Sequence, residues 1–72
     1  MKTAFGLHAI RQIGERNLDL AVVGQIAEVG LVVKRDGLRT VKRGEYGGQR
    51  IRVIVEDPNV VITAYPESAK AQ

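Results

Sequence analysis

The chain has 72 residues, with 11 basic and 8 acidic side chains, a formal charge of +3, one histidine and no cysteine. That length supports one domain near the lower limit for folding without staples, and the lack of cysteine removes disulfides and thiolate metal sites. With a single histidine and no His-Glu-x-x-His or paired-histidine spacing, neither a metal nor another cofactor is expected.

The opening stretch from Met1 to Ile13 carries Lys2, His8 and Arg11 and has no unbroken apolar run. It reads as neither a signal peptide nor a membrane span, so a cytoplasmic protein with no membrane partner is the expectation. A toxin domain cut from a longer exported chain would look the same. From about Ala4 to Arg16 the apolar residues recur at helical spacing. Phe5, Leu7, Ala9, Ile10 and Ile13 fall on one face, and His8, Arg11, Gln12 and Glu15 on the opposite stripe. Asn17 suits the left-handed conformation that ends a helix. Asp19 is then a natural N-cap for a second helix, Leu20 to Val29, with Leu20, Val22, Val23, Ile26 and Val29 as its apolar stripe and Gly30 as its stop. The β-branched content of this run makes a strand the competing reading, and the cap and stop signals favour helix.

From Leu31 onward the pattern changes to strands and tight turns. Asp36-Gly37, Gly47-Gly48 and Asp57-Pro58-Asn59 divide the remainder into strands near 31–35, 38–46, 49–56 and 60–65. The predicted fold is α+β, with two N-terminal helices packed on a four-stranded antiparallel meander sheet (ααββββ). It forms one domain over residues 1–66, followed by a loose tail over 67–72.

Two-residue loops fix register, so the faces of the sheet follow from the turns. Gly47-Gly48 sets Glu45 against Arg50 and Arg43 against Arg52. The Pro58-Asn59 turn sets Val55 against Ile62, Ile54 against Thr63 and Arg52 against Tyr65. Ile51, Val53, Val55, Val60, Ile62 and Ala64 then share the core face, and Arg39, Arg43, Glu45, Arg50, Arg52, Ile54, Thr63 and Tyr65 share the other. Two like-charged cross-strand pairs, Arg43 with Arg52 and Lys34 with Arg39, are unfavourable unless an anion lies between them.

The charge distribution points the same way. Residues 34–52 hold seven basic side chains (Lys34, Arg35, Arg39, Lys42, Arg43, Arg50 and Arg52) against two acidic ones, whereas the preceding residues are neutral overall. Such a stretch is the footprint of a polyanion binder, and equally that of a hairpin with gatekeeper charges on its edge. Tyr46 and Tyr65 are available to stack on bases or to cover the core. His8 adds a group that titrates near neutral pH, and with arginines and hydroxyls the inventory suits metal-free cleavage of RNA.

Side by side, His8-Ala9, Arg16 and the closing segment Val60-Val61-Ile62-Thr63-Ala64-Tyr65-Pro66 resemble a bacterial domain-of-unknown-function family. Its short members open on His-Ala, reach Arg-Gly-Ile after one helix and close on a strand reading Ile-Thr-Val-Tyr-Pro. That family is itself similar to the barnase–EndoU–colicin–RelE fold of metal-independent ribonuclease toxins. The resemblance spans about Phe5 to Pro66. It implies a catalytic set of His8, Arg50, Arg52, Thr63 and Tyr65. Arg16 stands at the family's helix-end arginine, and Arg11, Arg16, Lys34, Arg39, Lys42 and Arg43 are the candidates for holding RNA. Asn17-Leu18 stands where the family has Gly-Ile, and Gln12, beside Arg11, stands where an arginine is common.

The implied reaction is transesterification by the RNA 2′-hydroxyl. His8 would move protons, Arg50 or Arg52 would stabilise the phosphorane-like transition state, Thr63 would orient a phosphate oxygen, and Tyr65 would donate a proton or stack. His8 can join that set only if the first helix overhangs a sheet edge. Two other readings stay open: a non-catalytic RNA- or ribosome-binding module, and an interaction domain whose edge strand pairs with itself as a homodimer or with an antitoxin or immunity protein.

Overall fold

The computed structural model describes Thr3–Glu67. In chain order the elements are β1 (Ala4–Phe5), α1 (Leu7–Glu15), α2 (Leu20–Val29), β2 (Leu31–Asp36), β3 (Arg39–Tyr46), β4 (Gln49–Glu56) and β5 (Val60–Pro66). The α+β plan matches the expectation, but the sheet is mixed and five-stranded, in the order β1-β5-β4-β3-β2, not a four-stranded antiparallel meander. The extra strand is Ala4–Phe5, which helical spacing assigned to the first helix. It runs parallel to β5, pairing Ala4 with Val60 and Phe5 with Val61. The Ala4 amide donates to the Asn59 carbonyl at 3.0 Å and the Gly6 amide to the Val61 carbonyl at 3.1 Å. The first amides of a helix have no partner within it, and the sheet edge supplies one here, so α1 starts at Leu7.

The three helix boundaries that the sequence marks, Asn17, Asp19 and Gly30, are used. Asn17 takes φ +56°, the Leu18 amide reaches back to the Ile13 carbonyl at 2.9 Å, and the Asn17 amide reaches Gly14 at 3.2 Å. That is the paired-bond stop that satisfies the last carbonyls of α1. Asp19 caps α2 by accepting from the Ala21 amide at 2.8 Å. At the other end of α2, Lys42 on β3 donates its ammonium to the Ala27 carbonyl at 2.6 Å, meeting one of the unpaired carbonyls of the last turn.

The core lies between the helices and one face of the sheet. It is built from Ala9 and Ile13 on α1, Val23, Ile26 and Ala27 on α2, Ile51, Val53 and Val55 on β4, and Val61 and Ala64 on β5. On β4 the buried residues alternate as the turn registers predict. On β5 they do not. Ile54 pairs with Thr63 as expected, yet Val55 pairs with Val61, leaving Ile62 as the extra residue of a bulge. One inserted residue reverses the parity of everything before it, so Val61 enters the core in place of Val60 and Ile62.

The Gly47-Gly48 hairpin has φ +60° and +80° at its two loop residues and sets Arg43 against Arg52, as predicted. The first hairpin turns one residue later than predicted, at Gly37-Leu38. Only Gly37 has positive φ, and a turn with glycine at its first central position leaves Asp36 in the strand opposite Arg39. Lys34 consequently pairs with Val41, and the expected Lys34–Arg39 juxtaposition does not form. α2 packs on β3 and β4 and α1 packs along β5, so β2 extends past the helix layer with every residue exposed. No helix among the described residues is long and apolar enough to cross a membrane.

Candidate nucleic-acid interface

Strand alternation sorts the charged residues onto the sheet face that the helices leave open. β3 presents Arg39, Val41, Arg43 and Glu45 there, β4 presents Arg50, Arg52, Ile54 and Glu56, and β5 presents Thr63 and Tyr65. Arg52 is paired directly with Arg43 on one side and with Tyr65 on the other. The three side chains form a row across the central strands, with neighbours about 5 Å apart at their Cβ atoms.

The repulsion expected between Arg43 and Arg52 is met from within the chain. Glu67, which follows β5, accepts a hydrogen bond from Arg52 Nε at 2.9 Å, and the same carboxylate oxygen lies 3.9 Å from an Arg43 η nitrogen. The three side chains are 25–32% exposed, well below the 58% and 74% of the Arg50–Glu45 pair at the rim. The Arg52 hydrogen bond, helped by the charges of Arg52, Arg43 and Arg50, holds the Glu67 carboxyl below its usual range. Arg52 is raised in turn, first by its hydrogen bond to Glu67 and then by the Glu67 charge and by Tyr65. The sequence reading placed Glu67 in the tail. Its signal was its parity, because two residues beyond Tyr65 an extended chain returns to the same face. Residues 68–72 of the expected tail lie outside the described residues.

Among the described residues the outer edge of β5 has no strand neighbour beyond Phe5, and α1 leans over it instead. The Thr63 hydroxyl donates to the Gln12 side-chain oxygen. Arg16 donates to the Ala64 carbonyl at 2.6 Å and lies 3.4 Å from the Gln12 oxygen and 3.5 Å from the Thr63 hydroxyl. The overhang required by the sequence reading is therefore present, with Gln12 and Arg16 at the rim. His8 precedes Gln12 by one turn, about 6 Å along the axis. α1 begins beside Val61 and its end is tied to Ala64, so His8 sits toward the Val61 end, away from Arg52 and Tyr65. The imidazole is exposed and has no hydrogen-bond or ion-pair partner among the described residues.

The remaining candidates separate by position. Arg39 joins Glu56 at 3.5 Å and Arg50 joins Glu45 at 3.6 Å on the open face. Lys34 is exposed on β2 and Arg11 is exposed on α1. Arg16 ties α1 to β5, while Lys42 points to the helix layer and caps α2, so neither belongs to the open face. Tyr46 shares the helix side with Lys42 and does not join Tyr65. Among the described residues, no group of three or more His, Cys, Asp or Glu side chains is arranged to hold a metal ion. Comparison with family models, with curated proteins and with solved structures gives no match for this chain.

Proposed function

We propose that this protein is an RNA-binding domain of the ribonuclease-toxin type, which seats an RNA phosphate on the open sheet face at Arg43 and Arg52. The observation that carries the reading is the row Arg43–Arg52–Tyr65 on the sheet face that neither α1 nor α2 covers. Guanidinium forks suit phosphate oxygens, and a tyrosine beside them offers a flat surface for a base. Arg39, Arg50 and Lys34 widen the positive field around that row and would guide the backbone in.

A second reading, strand cleavage, is favoured by the position of Tyr65 directly across from Arg52. In that reading the 2′-oxygen bonds to phosphorus, the phosphorus–5′-oxygen bond breaks, and Tyr65 protonates the departing 5′-oxygen while the 2′-hydroxyl proton passes to water. Arg43 and Arg52 would hold the charge that builds on the phosphorane oxygens. His8 has no part in this version, because it stands near the far end of β5 from the row.

Fluorescence anisotropy with a labelled single-stranded RNA tests the binding. The wild type should bind at 50 mM salt and weaken as salt rises, and Arg43→Ala and Arg52→Ala should each lower the salt slope by about one unit. Absence of binding by the wild type at 50 mM salt overturns the proposal. Incubation with total RNA in EDTA tests cleavage. Products from the wild type and from His8→Ala, but not from Tyr65→Phe, are the expected result, and intact RNA in every sample refutes the cleavage reading alone.

A further inference from the structure

The charged pairs of the open face differ in stoichiometry. Glu45 serves Arg50 and Glu56 serves Arg39, each one to one and largely in solvent. Among the described residues, it is at the centre alone that two guanidinium groups, Arg43 and Arg52, share a single carboxylate. That carboxylate engages them unequally. One oxygen of Glu67 takes a full hydrogen bond from Arg52 at 2.9 Å, whereas its 3.9 Å separation from Arg43 is too long for one. Among the described residues, one positive charge and the N–H donors of Arg43 are left over in the most sheltered part of the face.

We propose that the space between Arg43 and Arg52 is a seat for one phosphate group, which Glu67 fills in the free protein and which a ligand takes by displacing it. The ligand class that fits best is a phosphate monoester, such as the terminal phosphate of a nucleotide or an RNA end. Its charge approaches −2 near neutral pH, and its tetrahedral oxygens can accept from two forks at once. A planar carboxylate with one charge neutralises half of the pair. Glu67 can leave without breaking the ladder, because the last sheet pairing of β5 is Pro66 with Ile51. Displacement would free a carboxylate into solvent and let Arg43 gain the hydrogen bonds it lacks. The inference rests on the open face being a phosphate-binding surface and adds which ligand chemistry the centre prefers and what holds the site closed.

The test follows the Arg52 Nε–H resonance by NMR while inorganic phosphate is titrated into the wild type, Glu67→Gln and Glu67→Asp, with sulfate and a 5′-nucleotide as further probes. Removing the carboxylate charge should tighten phosphate binding about five- to tenfold, and Glu67→Asp should fall between. Arg43→Ala should remove the gain. Equal or weaker phosphate binding by Glu67→Gln overturns the seat, even if RNA binds the domain. Tighter phosphate binding with no RNA binding by any variant keeps the seat and rejects the RNA reading.

Discussion

Arg16→Ala tests whether the tie from Arg16 to β5 is what holds α1 over that strand. The side chain makes a 2.6 Å bond to the Ala64 carbonyl and reaches Gln12 and Thr63 at 3.4 and 3.5 Å. A hydrogen bond from a charged donor contributes about 1.5–3 kcal/mol. The lower half of that range applies here, because Arg16 is itself exposed, so water can enter where the guanidinium is removed. A loss of about 1.5 kcal/mol is therefore expected, equivalent to about 6–12 °C in Tm for a domain of this size. Urea denaturation followed by circular dichroism measures it directly. Arg16→Lys keeps a cation that can reach the same carbonyl and should recover part of the loss. A change under about 0.3 kcal/mol in Arg16→Ala would show that the tie contributes nothing, and that packing of Ala9 and Ile13 alone positions α1.

Two further outcomes are specific to single contacts. A Cβ at Gly44 would lie 2.5 Å from Ile26 Cγ1 and 2.8 Å from its Cδ1, so Gly44→Ala should destabilise by about 1–2 kcal/mol after the gain in strand entropy is allowed for. Ile26→Ala creates room at the same point, so the double variant should lose at least about 0.5 kcal/mol less than the sum of the singles; strict additivity in denaturation would show that the two side chains do not collide. Glu67, whose carboxyl is lowered first by Arg52 and then by Arg43 and Arg50, with Tyr65 also facing Arg52, contributes stability that is complete above its usual value of 4.5 and disappears as pH falls through the depressed value. Tm of wild type minus Glu67→Gln should thus be positive and constant above about pH 5.5 and close progressively below 4.5. A difference that grows on acidification would reverse the assigned sign.

Much of this arrangement was readable from residues with one strong local preference. Asp19 and Asn17 mark helix boundaries through side-chain and backbone geometry that needs no tertiary partner, and α2 runs over the expected Leu20–Val29. Gly47-Gly48 fixed its hairpin because both loop residues need positive φ, and with it came the Arg43–Arg52 pairing. What escaped the sequence depends on distant partners. Ala4–Phe5 satisfies the helical period but becomes a strand because β5 offers an unpaired edge. The bulge at Ile62 leaves no mark in a run of alternating aliphatic residues, since Val61 and Ile62 suit a core equally well. Leu7 falls on the expected apolar face of α1 yet is 87% exposed, because α1 sits at the margin of the sheet, where a stripe that wide has nothing to cover it.

The candidate site was legible as a face and illegible as a centre, and the difference is electrostatic. Alternation alone assigns Arg39, Arg43, Arg50 and Arg52 to one side, without saying which of them are neutralised. Side-chain pairing decides that, and it divides the four unequally. Arg39 and Arg50 are matched by single carboxylates in solvent, where such pairs contribute little to stability and are easily exchanged. Arg43 and Arg52 are drier and held by one shared carboxylate, so positive charge in excess of its partner coincides with shelter from water, which strengthens any charge that enters. His8, the residue with the most suggestive chemistry in the sequence, has neither a partner among the described residues to orient it nor a place beside that centre. For the proposed phosphate seat the pattern of neutralisation is the better guide, because a titratable side chain needs a fixed position relative to the reacting group, whereas a partly sheltered positive charge in excess of its partner favours an anion beside it.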